Sequence, residues 1–226
     1  VMAGYAGLGV DIKYLLAASF MAAPGGLLMA KLVMPETEEA NNELEEVQTE
    51  EETHVNIFDA AAAGALTGLQ IALAVGAMLL AFIALIAMLN GIMAWFTGLF
   101  GIEGVTIQLI LGYAFQPVAW ILGVPWNEAN IAGSFIGQKL VLNEFVAFVG
   151  FAEVIDTLTP KTQAIITFAL CGFANFSSIA ICLGGIGTLA PSRRKDLARL
   201  GVRALFAATL ANLMSASLAG FFLSLG

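Results

Sequence analysis

Three short polar runs interrupt otherwise apolar sequence, and each holds groups that could recognise a ligand: Asn127-Glu128, Gln138 through Glu144, and Asn175 through Ser178. Glu144 is the most demanding of these residues, a carboxylate beside Asn143 in the apolar stretch from Val141 to Phe151. A carboxylate placed in lipid hydrocarbon costs roughly 2.5–3.5 kcal/mol on insertion scales and more by simulation, so an acid at that depth marks a functional site by default. An ionised Glu144 can accept hydrogen bonds from two vicinal hydroxyls of a ribose, each charge-assisted bond contributing ~1.5–3 kcal/mol. Asn175 and Ser178 stand at i and i+3. On a helix they share a face, offering an amide with donors and an acceptor beside a hydroxyl. Such a pair suits sugar hydroxyls, with Phe173 as an apolar wall.

Each residue also has a plain structural reading. Asn175 and Ser178 serve equally as interhelical hydrogen-bond glue, about 0.6 kcal/mol each on average. Glu144 can pair with Lys139, five residues earlier, or lie at the membrane edge. Glu128 follows Pro125-Trp126 at what reads as a helix start, so stabilising the macrodipole is its favoured role. Lys139 can snorkel to water.

The elements that hold these groups belong to a membrane protein. Of 226 residues, 59% are hydrophobic and only 12% charged, and the mean hydropathy is +0.89, which excludes an ordinary soluble domain. The net charge of −8 comes from nine glutamates between Glu36 and Glu52, a run without a basic residue that reads as a solvated loop. Its single histidine, His54, reads as a solvated loop residue. No Ser-His-Asp set, HExxH or phosphate-cradling glycine loop with lysine is present, so the chain does not read as an enzyme. Nor is there a basic aromatic surface for nucleic acid. Cys171 and Cys182, eleven residues apart, would lie about 16 Å apart along one helix, too far for a disulfide.

The pattern along the chain predicts an all-α membrane protein. Residues 1–34 end in a first apolar segment, Tyr14 to Met34, interrupted by Pro24-Gly25-Gly26, and 35–55 is the acidic loop. Residues 56–104 hold a short interfacial helix to Leu69 and then the safest transmembrane helix, Ile71 to Phe96, uncharged over 26 residues. In 105–226, Ile107 to Val124 reads as a tilted or interfacial element broken near Pro117. The stretch 127–154 reads as a re-entrant helical hairpin, because neither half can cross alone. Residues 162–191 form a helix that unwinds near Gly172, and 197–225 form the last span. Five of nine basic residues, Arg193, Arg194, Lys195, Arg199 and Arg203, cluster at one connector. The positive-inside rule makes that connector cytoplasmic and the C-terminus external. Interrupted apolar segments with polar centres are the sign of transporter half-helices around a midplane site.

Gly123-Val124-Pro125-Trp126-Asn127-Glu128-Ala129, Asn143-Glu144-Phe145-Val146-Ala147 and Cys171-Gly172-Phe173-Ala174-Asn175-Phe176-Ser177-Ser178-Ile179-Ala180 resemble the concentrative nucleoside transporters of the bacterial type. Ala22-Ala23-Pro24-Gly25-Gly26 and Met34-Pro35-Glu36-Thr37-Glu38 agree, and the resemblance runs in register over the whole chain.

This resemblance implies a homotrimeric, cation-coupled nucleoside symporter of the bacterial inner (cell) membrane. It implies an inverted repeat moving as an elevator, with this chain carrying the second repeat and the C-terminal portion of the protein. The coupling ion would be Na+, with H+ as the alternative, its ligands lying outside the chain; no other cofactor is implied. Glu144, Asn175 and Ser178 would hold the ribose, Phe173 would line the site, and Val1 would meet the nucleobase. The first residues read as the end of a helix begun elsewhere, so the hairpin that reads the base is expected upstream. The competing reading is a membrane channel or a non-transporting assembly subunit whose polar residues are helix glue.

Overall fold

The computed structural model describes residues 2–35, 37, 55–189 and 191–225. Val1 and the glutamate run from Glu38 to Glu52 lie outside the described residues, as does His54. Two compact units are present, Val1–Pro35 with Ile86–Gly226, and Glu36–Leu85. Among the described residues all regular structure is helical.

The smaller unit holds the first part of a helix that runs from Ile57 to Gly98. In the larger unit the chain opens with α1 (Met2–Gly7) and α2 (Ile12–Val33); the long helix, α3 (Ile57–Gly98), belongs to it from Ile86 on. Then follow α4 (Ile107–Ile121), α5 (Trp126–Val141), α6 (Glu144–Val154), α7 (Pro160–Leu170), α8 (Phe176–Leu189) and α9 (Arg194–Phe222). By length and composition α2 and α9 can each cross a bilayer. At the start of α9, Asp196 pairs with Arg193 at 2.9 Å and Arg199 at 3.4 Å, all partly or largely exposed.

Three sequence expectations change, and one of them is the break near Pro117: α4 is continuous from Ile107 to Ile121 with Pro117 inside it. The break anticipated at Pro24-Gly25-Gly26 is absent: α2 is continuous through Pro24. Buried Gly25 lies against α9, where Met214 Cε stands 3.2 Å from the position of an ideal Cβ. Ile57 to Leu69, read as a separate interfacial helix, continues into α3 without interruption. No proline separates the two stretches, and the alanine run carries high helix propensity through Gln70.

Close backbone packing positions the hairpin. The chain turns through 116° between α4 and α5. Gly123 makes that turn possible at φ +100, a left-handed conformation that other residues adopt only with strain. Helix α5 then lies directly on α4: an ideal Cβ on Gly133 would stand 2.7 Å from Gln116 N and 2.8 Å from Gly112 O. Helix α6 returns against α5, with the Phe135 and Phe151 rings edge-on at 5.7 Å. The core runs through Leu15, Phe148, Phe151, Ile165, Ile166 and Leu170, all fully buried. Helix α7 is buried nearly all round, as expected of a helix at a core's centre.

Because the atoms facing Gly133 are backbone, they have little room to yield. Gly133→Val is expected to cost at least the upper part of the ~1–3 kcal/mol typical of overpacking. Thermal melting of the detergent-solubilised protein checks this, and an unchanged midpoint would contradict the contact.

Candidate functional site

Two helix breaks meet at the site, and an asparagine restarts the helix after each. Between α5 and α6, Asn143 adopts an extended conformation (φ −163, ψ 167), and its Oδ1 accepts a hydrogen bond from Val146 N at 2.9 Å. This is an N-cap, satisfying one of the amides that a helix start leaves unpaired. Glu144 is therefore the first residue of α6, where the positive end of the helix dipole favours its charge. It is 7% exposed.

The second break separates α7 from α8. Thr159 caps α7, and Pro160 follows where a missing N–H costs nothing. At the other end Cys171 N bonds Thr167 O at 2.9 Å, Gly172 N bonds Leu170 O at 2.7 Å, and the chain unwinds to Asn175. Gly172 packs close to α9: an ideal Cβ would lie 2.5 Å from Asn212 Oδ1, so any larger residue would have to displace that side chain. Asn175 then caps α8, its Oδ1 accepting from Ser178 N at 2.9 Å.

One hydrogen bond joins the two breaks. Asn175 Nδ2 donates to Glu144 Oε2 at 2.7 Å, with Asn175 only 2% exposed. The orientation of the amide is fixed from its other end. Its Oδ1 also faces Ser177 Oγ at 2.6 Å and Ser178 Oγ at 2.9 Å. Ser178 Oγ reaches Phe173 O as well, and that carbonyl separately accepts from Asn175 N at 3.2 Å.

Two cavities flank this network. One of about 430 Å3 is lined by Tyr5, Leu15, Ser19, Glu144 and the 170–173 backbone turn among others. A second, of about 340 Å3 and largely apolar, lies between α8 and α9 and includes Asn175, Ser178, Ile179 and Leu205. Phe173 lines both and is 62% exposed. The Tyr5 ring stacks on Phe148 at 4.2 Å and approaches Phe145 at 5.8 Å, fixing one wall of the larger cavity.

Glu144, Asn175, Ser178 and Phe173 are thus brought together, while Val1 lies outside the described residues. Other expectations change. Lys139 does not snorkel: it is 4% exposed, and its Nζ donates to Ala169 O at 2.8 Å rather than pairing directly with Glu144. Glu128 does sit in the first turn of α5, yet its carboxylate accepts from Thr159 N at 3.2 Å and Thr159 Oγ1 at 2.9 Å, tying the start of α5 to the cap of α7. Cys171 and Cys182 do not share one helix, since the break lies between them, and both are free thiols. Sequence reasoning missed Ser177 and the capping role of Asn143. The second was available, because an asparagine before an apolar run is a helix-start signal. Among the described residues no group of three His, Cys, Asp or Glu side chains could hold a metal ion.

A family model described as Na+ dependent nucleoside transporter C-terminus matches residues 14–220. The uncharacterized transporter YutK of Bacillus subtilis (strain 168) is 62% identical over 97% of this chain and 55% of its own length. The nucleoside permease NupC of Helicobacter pylori is 47% identical over 100% of this chain and 54% of its own. Among solved structures, CNTnw in an inward-facing substrate-bound state aligns with a TM-score of 0.93 and 56% identity over 99% of this chain and 54% of that one. The chain spans about half the length of the curated relatives it matches.

Asn143 and Asn175 both cap a helix, but only Asn175 also holds the buried carboxylate. Asn143→Ala should cost about 1 kcal/mol, the usual value of a lost cap. Asn175→Ala should add the ~1–3 kcal/mol of leaving a buried acceptor without its donor. Thermal midpoints of the two variants measured side by side check this, and equal losses would contradict the bond to Glu144.

Proposed function

The chain belongs to the family described as Na+ dependent nucleoside transporter C-terminus, and from that membership we propose that the protein is a sodium-coupled nucleoside symporter in which this chain supplies the ribose-binding part of the site. The observation that carries the proposal is the buried 2.7 Å bond from Asn175 to Glu144, which fastens two broken helices at the edge of a cavity. Half-helix ends meeting around polar side chains are the way secondary transporters build a midplane site. Matching relatives are named as permeases, transporters and cotransporters, which fits membrane transport rather than enzymatic chemistry.

In this reading Glu144, with one carboxylate oxygen held by Asn175, accepts hydrogen bonds from the ribose hydroxyls. Ser178 contributes its hydroxyl, and the exposed Phe173 ring supplies an apolar wall. Val1 is assigned to the nucleobase side. Sodium enters as a co-transported ion, with ligands assigned outside this chain. The protein is assigned to the bacterial inner membrane as a multi-pass homotrimer. Its repeat units move as an elevator, α3 is the scaffold helix, the Arg193-to-Lys195 connector is cytoplasmic and the C-terminus is external. The basic residues around the start of α9 support the cytoplasmic placement of that connector.

Labelled uridine uptake by the full-length protein in proteoliposomes tests the proposal. An inward sodium gradient is expected to drive accumulation, and failure under both sodium and proton gradients would overturn it. Deoxygenation at the 2′ or 3′ position should weaken binding by about 1–3 kcal/mol, because a buried acceptor built for a hydroxyl is left unpaired. Equal affinity for uridine and both deoxy analogues would reject the ribose assignment. Glu144→Gln separates recognition from helix glue: a ribose acceptor loses nucleoside affinity with folding retained, whereas glue loses stability first.

A further inference from the structure

We propose that Lys139 is a built-in cation of the transport site, its tethered ammonium filling, at the C-terminal end of α7, a place where a broken helix can hold a coupling ion. The inference rests on the nucleoside symporter reading and deepens it by assigning a residue that sequence motifs leave without a role.

Among the described residues Lys139 is the one buried cation, 4% exposed in the last turn of α5. It meets carbonyl oxygen: Nζ donates to Ala169 O at 2.8 Å. Ala169 belongs to the last turn of α7, whose final four carbonyls have no partner within the helix and carry the negative end of its dipole. The last regular helical bond is made by the C-cap, Cys171 N on Thr167 O, and beyond it the unwound chain serves Leu170 O through Gly172 N. Lys139 serves Ala169 O.

Secondary transporters hold coupling cations with unwound carbonyls and the C-terminal ends of half-helices. Here a covalently attached ammonium stands at such an end. Its counter-charge is close in sequence: Glu144 lies five residues on, across the α5–α6 break, and the two side chains interact electrostatically. Of the cavity wall near this point, Leu170 and Cys171 come from the end of α7 and Glu144 from the hairpin. Lys139 therefore does two things. It fixes the end of α7 to the hairpin, and it balances the carboxylate without recruiting an ion from solution. It acts on substrate through Glu144 and the α7 end, as a positioning residue.

Charge and packing can be separated, because methionine fills nearly the same space without charge. The experiment compares wild type, Lys139→Met and Lys139→Ala in the full-length protein, reading uridine uptake, uridine affinity and thermal stability, with and without millimolar ethylammonium. The proposal expects Lys139→Met to fold yet lose uridine affinity by about tenfold or more. Lys139→Ala should lose it similarly and regain part of its uptake with ethylammonium, which supplies the missing charge, while Lys139→Met and wild type do not respond. A folded Lys139→Met with wild-type affinity overturns the proposal, as does a Lys139→Ala variant that ethylammonium does not help. Should Lys139→Met fail to fold, the alanine variant decides alone: recovery of folded, active protein by ethylammonium supports the built-in cation, and no recovery rejects it. Absence of uridine uptake by wild type overturns the symporter reading itself, a result distinct from loss confined to the variants.

Discussion

Everything at the centre of this protein depends on one constraint: a helix broken inside a membrane frees backbone groups that no water can satisfy. Two such breaks meet at the site, between α5 and α6 and between α7 and α8. At each, an asparagine side chain takes the amide three residues on. Once Asn175 has committed its oxygen to the start of α8, its nitrogen must point elsewhere, and Glu144 receives it. The position of the carboxylate thus follows from the repair of the backbone.

Charge is handled in the same way. Glu144 gains from the start of α6, and Lys139 gains from the end of α7, each lying at the helix end whose partial charge opposes its own. Glu128 is likewise buried only with two donors from Thr159 in place. Among the described residues Glu128, Lys139 and Glu144 each have a polar partner within hydrogen-bond reach, which offsets the cost of taking them out of water.

How much of this could be read in the sequence follows from the range of each interaction. The breaks were legible, because polar residues at membrane depth and a short apolar length on either side leave few alternatives to a hairpin and an unwound helix. Asn175 and Ser178 were legible as one face because an i, i+3 pair needs only a helical turn. Continuity was harder to see. Pro24-Gly25-Gly26 looks like punctuation, yet α2 passes through it, and its buried glycine meets α9, a contact nearly 190 residues away in sequence. The environment of Lys139 is hidden for a related reason. Its spacing to Glu144 spans a break, where helical periodicity predicts nothing, and its partner Ala169 is a backbone oxygen that no residue type announces.

The Ser178 hydroxyl carries one proton and faces two acceptors, Phe173 O and Asn175 Oδ1. Both have other donors: Asn175 N for the first, Ser177 Oγ and Ser178 N for the second. If that hydroxyl turns to a ligand, neither acceptor is stranded. In most buried networks an incoming group must break something before it can bond, and the broken partner opposes binding. Here the two acceptors keep three other donors between them, so Ser178 is held in reserve, and the site is already organised to release it.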